Sequence, residues 1–425
     1  MMPARHPESL QFSSRSLFTR PIRVIAVGVL VLLAGCATAP MPQAPEIAAR
    51  ATALTSREAV NLRVFDTVWD LVNRKFYDPR FRGVDWPAVA VTYGPKALAA
   101  ADDKQLYGVL NAMLAELKES HNEAFMPGES VDGPEPPRAC VGMGLHRLED
   151  RWVVTSVFPG SPAEAAGVRP GWFFVTRNGQ PLAAEPNFSL QEGETVIDEF
   201  LDPQDRIHSL KMGARPLAPG EPWEARELPG GMVYLRFDDF DRASRRWLSD
   251  QLKAHRGAPG VIVDLRVNPG GDSRSLAITI GEFFPKSVGW GLFIGRNGGR
   301  HEQVSWLWGS ARYAGRVAVL VDEGTASSAE IFAHVLQFNH RAVLVGRQTA
   351  GAVVPSRFFP LPDGGRLQLG GADYQGLDGK RLEGVGVKPD LVVPLKLADL
   401  RTGVDPDLAA ALVALQNPTA ETKNR

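Results

Sequence analysis

The chain has 425 residues, of which 44% are apolar and 22% are charged, and its formal net charge at pH 7 is −1. This length and composition are typical of a globular protein with two or three domains, and the near-zero charge excludes a general attraction to nucleic acid or acidic membranes. The sequence holds two cysteines, no CxxC pair, no HExxH motif and no internal repeat, so we expect neither a disulfide framework nor a cofactor or metal site.

The N-terminus has the pattern of an export signal. Arginines precede an apolar run at 24–33, which is shorter than the roughly 20 apolar residues that span a bilayer. The run ends in Leu-Ala-Gly-Cys, which resembles a bacterial lipobox and predicts that Cys36 is lipidated; an ordinary cleavage site is the alternative. Ala37 in place of Asp favours the outer membrane by resemblance. Residues 37–50, rich in Ala and Pro, predict a tether.

Apolar residues at helical spacing predict a small helical domain over residues 55–119. The domain ends in Glu-Ser-His-Asn, which contains Ser120 and His121, and a linker rich in Gly and Pro follows. A histidine beside a helix end has several ordinary uses, so the local pattern alone favours a surface or capping role for His121.

Short strands that alternate with turns are predicted between residues 138 and 214. The string Gly-Ser-Pro-Ala-Glu-Ala-Ala-Gly-Val-Arg-Pro-Gly-Trp at 160–172 resembles a PDZ domain. In such domains a glycine-containing loop holds a peptide carboxylate, and the peptide adds a strand to the sheet edge. The peptide-binding loop that this resemblance implies consists of Gly142, Met143, Gly144 and Leu145.

From residue 216 onwards, buried strands alternate with amphipathic helices, which predicts right-handed βαβ units and a parallel sheet. We expect strands at 233–237, 261–267, 317–322, 342–346 and 391–393, and helices at 247–255, 278–284 and 327–338. Residues 286–315 have no clear period and predict a loop or lid over a cleft. Sites in such sheets form beyond the C-terminal strand ends, where Gly270, Gly271 and Ser327 are expected.

The segment 321–331 places Ser327 where a strand turns into a helix. Unpaired N–H groups and the positive end of the helix dipole suit a nucleophile there, but serine is also a common helix cap, and both interpretations stay open. A serine nucleophile needs a base, usually histidine. His334 lies on the same helix roughly 10 Å along the axis, which is too far for a hydrogen bond. His146 and His301 carry no motif.

Four motifs together resemble the C-terminal processing (tail-specific) peptidase family, with its tricorn-core and retinoid-binding-protein-like relatives. The motifs are Val263–Gly271, Gly324–Ile331, Arg341–Gly346 and Glu383–Asp390. The resemblance covers about residues 56–396 and implies an α/β fold. That fold has a ClpP/crotonase-like parallel-sheet core, an N-terminal helical domain and an embedded β-rich PDZ-like domain.

One departure from the family pattern concerns the base. Tail-specific proteases use a Ser–Lys dyad, but Ala352 stands in the position of the lysine, so this dyad is excluded. The tricorn-like branch uses a serine nucleophile, a histidine base before the PDZ domain, and a serine and a glutamate that orient the histidine. By resemblance these roles fall to Ser327, His121, Ser120 and Glu383.

The region where the parallel strands end and the helix of Ser327 begins is also expected to form an oxyanion hole. The backbone N–H groups of Gly271 and Ser328 are the expected donors. Glu330 is expected to complement the helix dipole and not to catalyse. Activity that depends on a histidine base should rise with pH through an apparent pKa of roughly 6 to 7.

The resemblance implies a lipid-anchored serine endopeptidase at the outer membrane, facing the periplasm, whose PDZ-like domain feeds polypeptide tails to Ser327. The alternatives are a surface location, an inactive peptidase scaffold that binds peptides or an apolar ligand, and, least favoured, a crotonase-type acyl enzyme. The predicted organisation is a lipoprotein signal peptide (1–35), a tether (36–54), a helical domain with its linker (55–137), a PDZ-like domain (138–214), an α/β peptidase core (215–400) and a C-terminal helix with a tail (401–425).

Overall fold

The structure is a computed structural model that describes residues 55–129, 139–148, 150–182, 190–217, 220–308 and 311–416. The predicted signal peptide and Cys36 lie outside the described residues. Among the helices in these ranges, none is both long enough and apolar enough to cross a membrane.

Nine α-helices occur in the described ranges, and four of the longer ones begin at an aspartate whose carboxylate accepts a first-turn N–H. The helices are α1 (Ser56–Lys75), α2 (Trp86–Leu98), α3 (Asp103–Ala115), α4 (Pro162–Ala165), α5 (Arg242–Ala254), α6 (Ser273–Gly281), α7 (Ser328–Phe338), α8 (Leu397–Thr402) and α9 (Pro406–Gln416). Helices α5 and α6 begin five residues before the predicted starts at 247 and 278, because Asp241 and Asp272 cap them.

Twenty strands accompany these helices in the same ranges. They are β1 (Glu123–Phe125), β2 (Ala139–Cys140), β3 (Met143–Leu148), β4 (Arg151–Val157), β5 (Phe173–Arg177), β6 (Gln180–Pro181), β7 (Thr195–Leu201), β8 (Ile207–Gly213), β9 (Arg215–Pro216), β10 (Trp223–Leu228), β11 (Met232–Phe237), β12 (Gly260–Asp264), β13 (Gly289–Gly295), β14 (Arg300–Val304), β15 (Arg316–Val321), β16 (Val343–Gly346), β17 (Ser356–Pro360), β18 (Arg366–Gly370), β19 (Ala372–Gln375) and β20 (Leu391–Val392).

A six-stranded sheet in the order β10-β11-β12-β15-β16-β20 forms the central layer. All neighbours are parallel except β10 and β11, so the predicted parallel sheet is confirmed with one antiparallel edge strand. Residues of β12 are buried throughout because apolar clusters cover both faces of the sheet. Strand β12 ends at Asp264, earlier than predicted, because the Asp264 carboxylate accepts the N–H of Arg266 at 3.0 Å and turns the chain.

Helices α1–α3 do not form a closed core by themselves. They pack against a three-stranded antiparallel sheet in the order β1-β18-β17, and Leu367 and Leu369 of β18 belong to their apolar cluster. Trp69 and Trp86 fix α1 to α2, since each indole N–H donates to the other's carbonyl at 3.0 and 3.1 Å. The apolar core of the N-terminal helices is therefore completed by strands that come more than 230 positions later in the chain. The pairing of Glu123 with Gln368 is one example of this long-range contact.

The expected lid at 286–315 is wrong for most of its length. Strands β13 and β14 form an antiparallel hairpin, and β13 also pairs with β19. A bulge between Gly289 and Gly291 interrupts the alternation of side chains, which hid the strand period. A Cβ at Gly291 would lie 2.4 Å from the Tyr374 ring, so only glycine lets that ring pack there.

The β-rich segment has a separate five-strand path, β3-β4-β5-β7-β8, with β6 beside β5. Its two ends meet where Ala139 of β2 pairs with Pro216 of β9. Helix α4 is capped by Ser161, whose hydroxyl accepts the Glu164 N–H at 3.1 Å. The expected peptide-binding loop is mostly strand: Met143, Gly144 and Leu145 lie in β3 because they pair with β4. Only Gly142, with a φ of 82°, precedes the strand.

Candidate active site

Ser327 occupies a sharp turn between β15 and α7. Its φ of 53° lies in a region that non-glycine residues seldom adopt. The Glu330 carboxylate accepts the Ser327 N–H at 3.1 Å and so holds the turn. Gly270 lies opposite: a Cβ there would be 2.6 Å from the Ser327 Cβ, so glycine is required. The strand-to-helix location predicted for Ser327 is therefore observed, with a strained backbone that simple capping does not require.

Glu330 does more than complement the dipole of α7. Its buried carboxylate also accepts the Thr349 hydroxyl at 2.5 Å and the N–H groups of Gly351 and Ala352 at 2.7 and 2.8 Å. Burial raises the pKa of Glu330, while these hydrogen bonds act in the opposite direction. Glu330 thus ties the turn of Ser327 to the loop that contains Ala352.

His121 lies between α3 and β1 and is oriented by two partners. The Ser120 hydroxyl donates to Glu383 Oε2 at 2.9 Å and lies 2.8 Å from His121 Nδ1. A serine hydroxyl has one proton, so an oxygen that donates to the carboxylate accepts from the ring. The Nδ1–H tautomer follows, which leaves Nε2 with its lone pair free to accept a proton.

Glu383 is itself held by backbone amides from two segments. Its carboxylate accepts the Ser120 N–H at 2.7 Å and the N–H groups of Val353 and Val354 at 2.6 and 3.1 Å. These bonds fix the charge close behind His121. Burial lowers the pKa of His121 below its ordinary value, and the Glu383 charge opposes that shift only in part. The imidazole is therefore neutral, and able to act as a base, at neutral pH.

A cavity of about 570 Å³ brings the two halves of the site together. His121, Ser327, Gly271 and Ser328 all line it, whereas Ser120 and Glu383 lie behind the histidine. Its lining also includes the apolar side chains of Leu276, Trp290, Phe293, Ile331 and Phe358. The cavity therefore brings a serine, a histidine and apolar side chains together.

The predicted oxyanion donors are neighbours in the structure. Ser328 is the first residue of α7, so its N–H has no partner within the helix. Within the described part of the chain, neither this N–H nor that of Gly271 has an acceptor. The Ser328 hydroxyl donates to the Gly271 carbonyl at 2.8 Å and links the two segments. Both amides are thus available to an oxyanion in the cavity.

The other candidate bases do not line this cavity. His334 is buried in α7 and its Nε2 lies 3.9 Å from Asp378 Oδ1. Lys380 is exposed and pairs with Asp378 Oδ2 at 3.2 Å. His146 lies in β3 and His301 in β14, and neither lines the cavity.

Sequence reasoning missed Arg381 and Glu119. Arg381 contacts Glu119 Oε2 at 2.5 Å, the Tyr77 hydroxyl at 2.9 Å and the backbone carbonyl of Glu383 at 3.1 Å. The Glu119 side chain is fully buried, and burial raises its pKa while Arg381 opposes the rise. The available signal was position: Glu119 adjoins Ser120-His121, and Arg381 precedes Glu383 by two residues.

The β-rich segment has a smaller cavity of about 150 Å³. It is lined by Gly142, Met143 and Leu145 but not by Gly144, so three of the four predicted peptide-binding residues share it. Arg177 also lines it and forms two bonds to the Asp198 carboxylate at 2.9 and 2.8 Å. Strand β3 is one of the two outer strands of its sheet path among the described strands.

Sequence comparisons match two separate parts of the chain to known protein families. Residues 231–393 match peptidase family S41, and residues 59–115 match the tricorn protease C1 domain. The chain is 27% identical over 372 residues to a carboxyl-terminal-processing protease of Synechocystis sp., covering 83% of this chain and 86% of the relative. It is 28% identical over 394 residues to putative tricorn protease homolog 2 of Streptomyces coelicolor, covering 84% of this chain and 33% of the relative.

Solved structures give the same fold. The photosystem II D1 C-terminal processing protease has a TM-score of 0.57 at 22% identity and covers 84% of this chain and 99% of its own. Mature CPAF has a TM-score of 0.63 at 13% identity and covers 86% of this chain and 99% of its own. The tricorn protease reaches 0.53 at 18% identity, covering 85% of this chain and 37% of its own. These likenesses confirm the α/β fold.

Proposed function

We propose that the chain, in which residues 231–393 match peptidase family S41, cuts polypeptides with Ser327 as nucleophile and His121 as general base. His121 Nε2 takes the Ser327 proton as the hydroxyl attacks the scissile carbonyl, and later returns it to the leaving amine. The N–H groups of Gly271 and Ser328 stabilise the oxyanion. Ser120 and Glu383 orient the imidazole and stabilise its charged form.

One observation carries this proposal. The hydrogen-bonded chain from Glu383 through Ser120 to His121 ends at the cavity that Ser327 lines. A fluorophosphonate probe tests it directly, because such probes react only with an activated serine. We expect labelling of the wild type, no labelling of Ser327→Ala, and normal labelling of Ser209→Ala, since Ser209 is exposed in β8 and does not line the cavity.

Ala352 is the observation that supports a second candidate function. Loss of the lysine of Ser–Lys relatives is also what an inactive scaffold that binds peptides or an apolar ligand would show. The same probe separates the two functions. A folded wild-type protein that resists the fluorophosphonate and leaves unstructured peptides intact would favour the binding function.

We further propose that the β-rich segment acts as a PDZ-like domain for polypeptide tails. The names of the relatives refer to C-terminal processing, and the 150 Å³ cavity beside β3 supports a site for such a tail. Because β2 pairs with β9, residues 141–214 can be replaced by a short turn. We expect this deletion to reduce polypeptide cleavage far more than fluorophosphonate labelling; equal losses would mean that the segment is structural.

The cellular location is also a proposal. The lipobox-like string at 33–36 supports a lipid anchor at Cys36, attachment to the outer membrane and a periplasmic peptidase. The variant Cys36→Ser should abolish metabolic lipid labelling and accumulate unprocessed precursor. Recovery of all wild-type protein in the soluble periplasmic fraction would contradict the anchor.

A further inference from the structure

A further cavity lies at the edge of the central sheet where the parallel strands begin. Its volume is about 280 Å³. Arg316 is the first residue of β15 and Arg341 comes two residues before β16, and both line the cavity. Ser327 follows the end of β15 and therefore lies at the opposite edge of the sheet. The two cavities share no lining residue, so this one is not part of the catalytic site.

Among the described residues, no side chain that lines this cavity carries a negative charge. Arg316, His340 and Arg341 are the polar lining residues, and the others are glycine, alanine, valine or leucine. Within the described ranges, the guanidinium groups of both arginines bond to backbone carbonyls and form no ion pair. The described residues thus leave positive charge at this cavity without a carboxylate to neutralise it.

The guanidinium group of Arg341 is partly buried. Its Nε donates to the Phe283 carbonyl and its Nη2 to the Tyr313 carbonyl, at 2.7 Å each, which leaves Nη1 without a partner in the part of the chain that the structure describes. Burial lowers the pKa of Arg341, and Tyr313 opposes this shift only in part. Carbonyl oxygens solvate a guanidinium group but do not neutralise it, and a charge removed from water is costly unless an opposite charge pairs with it.

Arg316 and the turn before it supply further donors. Nη1 of Arg316 donates to the Leu415 carbonyl at 2.5 Å, and its other side-chain nitrogens have no acceptor in the described ranges. Ala314 and Gly315 line the same cavity, and their backbone N–H groups also have no acceptor among the residues described. The cavity therefore combines charged guanidinium donors with backbone N–H groups.

We propose that this cavity binds a phosphate group through Arg316, Arg341 and the backbone N–H groups of Ala314 and Gly315. Phosphate suits this donor set, because a guanidinium group matches its oxygens in pairs and a phosphate with two negative charges would compensate both arginines. The source of the group is either free inorganic phosphate or the headgroup of an anionic phospholipid. We expect inorganic phosphate to bind more tightly, since a headgroup diester carries a single negative charge.

Calorimetric titration of the protein with inorganic phosphate, at constant ionic strength, tests the proposal. The wild type should show saturable binding, and Arg316→Gln should bind about 10-fold more weakly, because a charge-assisted hydrogen bond is lost. Arg316 is exposed, so this variant should fold. Arg169→Gln is the matched control, since Arg169 is also exposed but does not line the cavity. Absence of saturable binding, or equal affinities in all three proteins, would overturn the proposal.

Thermal unfolding separates a specific site from the general effect of salt. Phosphate that binds the folded state raises Tm along a saturating curve, whereas exclusion of phosphate from the protein surface stabilises without saturation. The saturating rise should occur in the wild type and in Arg169→Gln and be smaller in Arg316→Gln. A rise that does not saturate, or that is equal in the three proteins, would overturn the proposal.

A titration with glycerophosphoglycerol, the water-soluble diester of the phosphatidylglycerol headgroup, distinguishes the two sources. Weaker binding of this diester than of inorganic phosphate supports a site for free phosphate. Tighter binding of the diester, reduced in Arg316→Gln, supports the same phosphate site with a lipid headgroup as its source. Binding of either compound that is unchanged in Arg316→Gln would overturn the assignment to this cavity.

Discussion

The two halves of the site are built in opposite ways. The serine half is local: Ser327, Ser328 and Glu330 lie within one turn between β15 and α7. The histidine half joins distant segments, since Ser120 and Glu383 are 263 positions apart and meet through hydrogen bonds. The serine half therefore depends on local backbone geometry, whereas the base depends on long-range contacts. Substitutions far from the cavity should affect the base more than the nucleophile.

The largest loss of activity is expected when the donor or the acceptor of the proton, Ser327 or His121, is removed. Both Ser327→Ala and His121→Ala should lose about 10⁴-fold or more in kcat on a peptide substrate, because a triad acts as one unit. Thermal unfolding should show that both variants are folded. Near-wild-type turnover by folded His121→Ala would refute His121 as the base.

Removing the charge of Glu383, which lies behind His121, should lower kcat by a smaller factor. The Glu383 carboxylate accepts four hydrogen bonds. Glu383→Gln keeps the shape of the side chain but replaces one accepting oxygen with an NH₂ group that donates, so kcat should fall by about 10³-fold. Glu323→Gln is the matched control, because Glu323 is exposed and pairs with Arg347 at 3.4 Å, outside the cavity lining. Equal kcat values in these two variants would mean that Glu383 has no part in orienting His121.

Arg381 tests the dependence on distant contacts. It joins Glu119 to the backbone of Glu383 and does not line the cavity, so Arg381→Ala should lower kcat by about 10-fold or more and leave KM unchanged. Arg381→Lys should restore part of the activity because it keeps a charge opposite Glu119. A change in KM alone, or in stability alone, would contradict a positioning role.

The smallest expected effect is a shift in pH dependence. Burial lowers the pKa of His121, so kcat/KM should rise with pH through a midpoint below about 6.5 and be constant at neutral pH. The Glu383 charge favours the imidazolium and raises this pKa. In Glu383→Gln the residual activity should therefore show a midpoint lower than that of the wild type. A higher midpoint would contradict the assigned charge interaction.

The central sheet and the turn at Ser327 could be predicted because their signals are local. The apolar run 317–321 predicts a strand, and the structure buries this strand between apolar clusters on both faces of the sheet. The residues that follow form the turn that the sequence predicts. The hairpin of β13 and β14 escaped prediction because the bulge near Gly291 breaks its alternation. Local pattern is a reliable guide only where local geometry is regular.

The base could be predicted only through the resemblance. Nothing in the sequence near His121 indicates that Glu383 approaches it, and the local pattern favoured an ordinary histidine at a helix end. The same reason explains why Arg381 was missed: its contacts with Glu119 and Tyr77 join residues 262 and 304 positions apart. The structure supplies these contacts by folding β18 and the residues after it onto the N-terminal helices.

The rate at which a fluorophosphonate labels Ser327, followed from about pH 5 to pH 8, tests the proposed catalytic pair most directly, because it requires no knowledge of the substrate. We predict that the wild-type rate rises with pH through a midpoint below about 6.5. In folded His121→Ala this step should disappear and labelling should be slower by orders of magnitude. Labelling of His121→Ala at the wild-type rate, with the same pH step, would contradict the proposed pairing of Ser327 with His121.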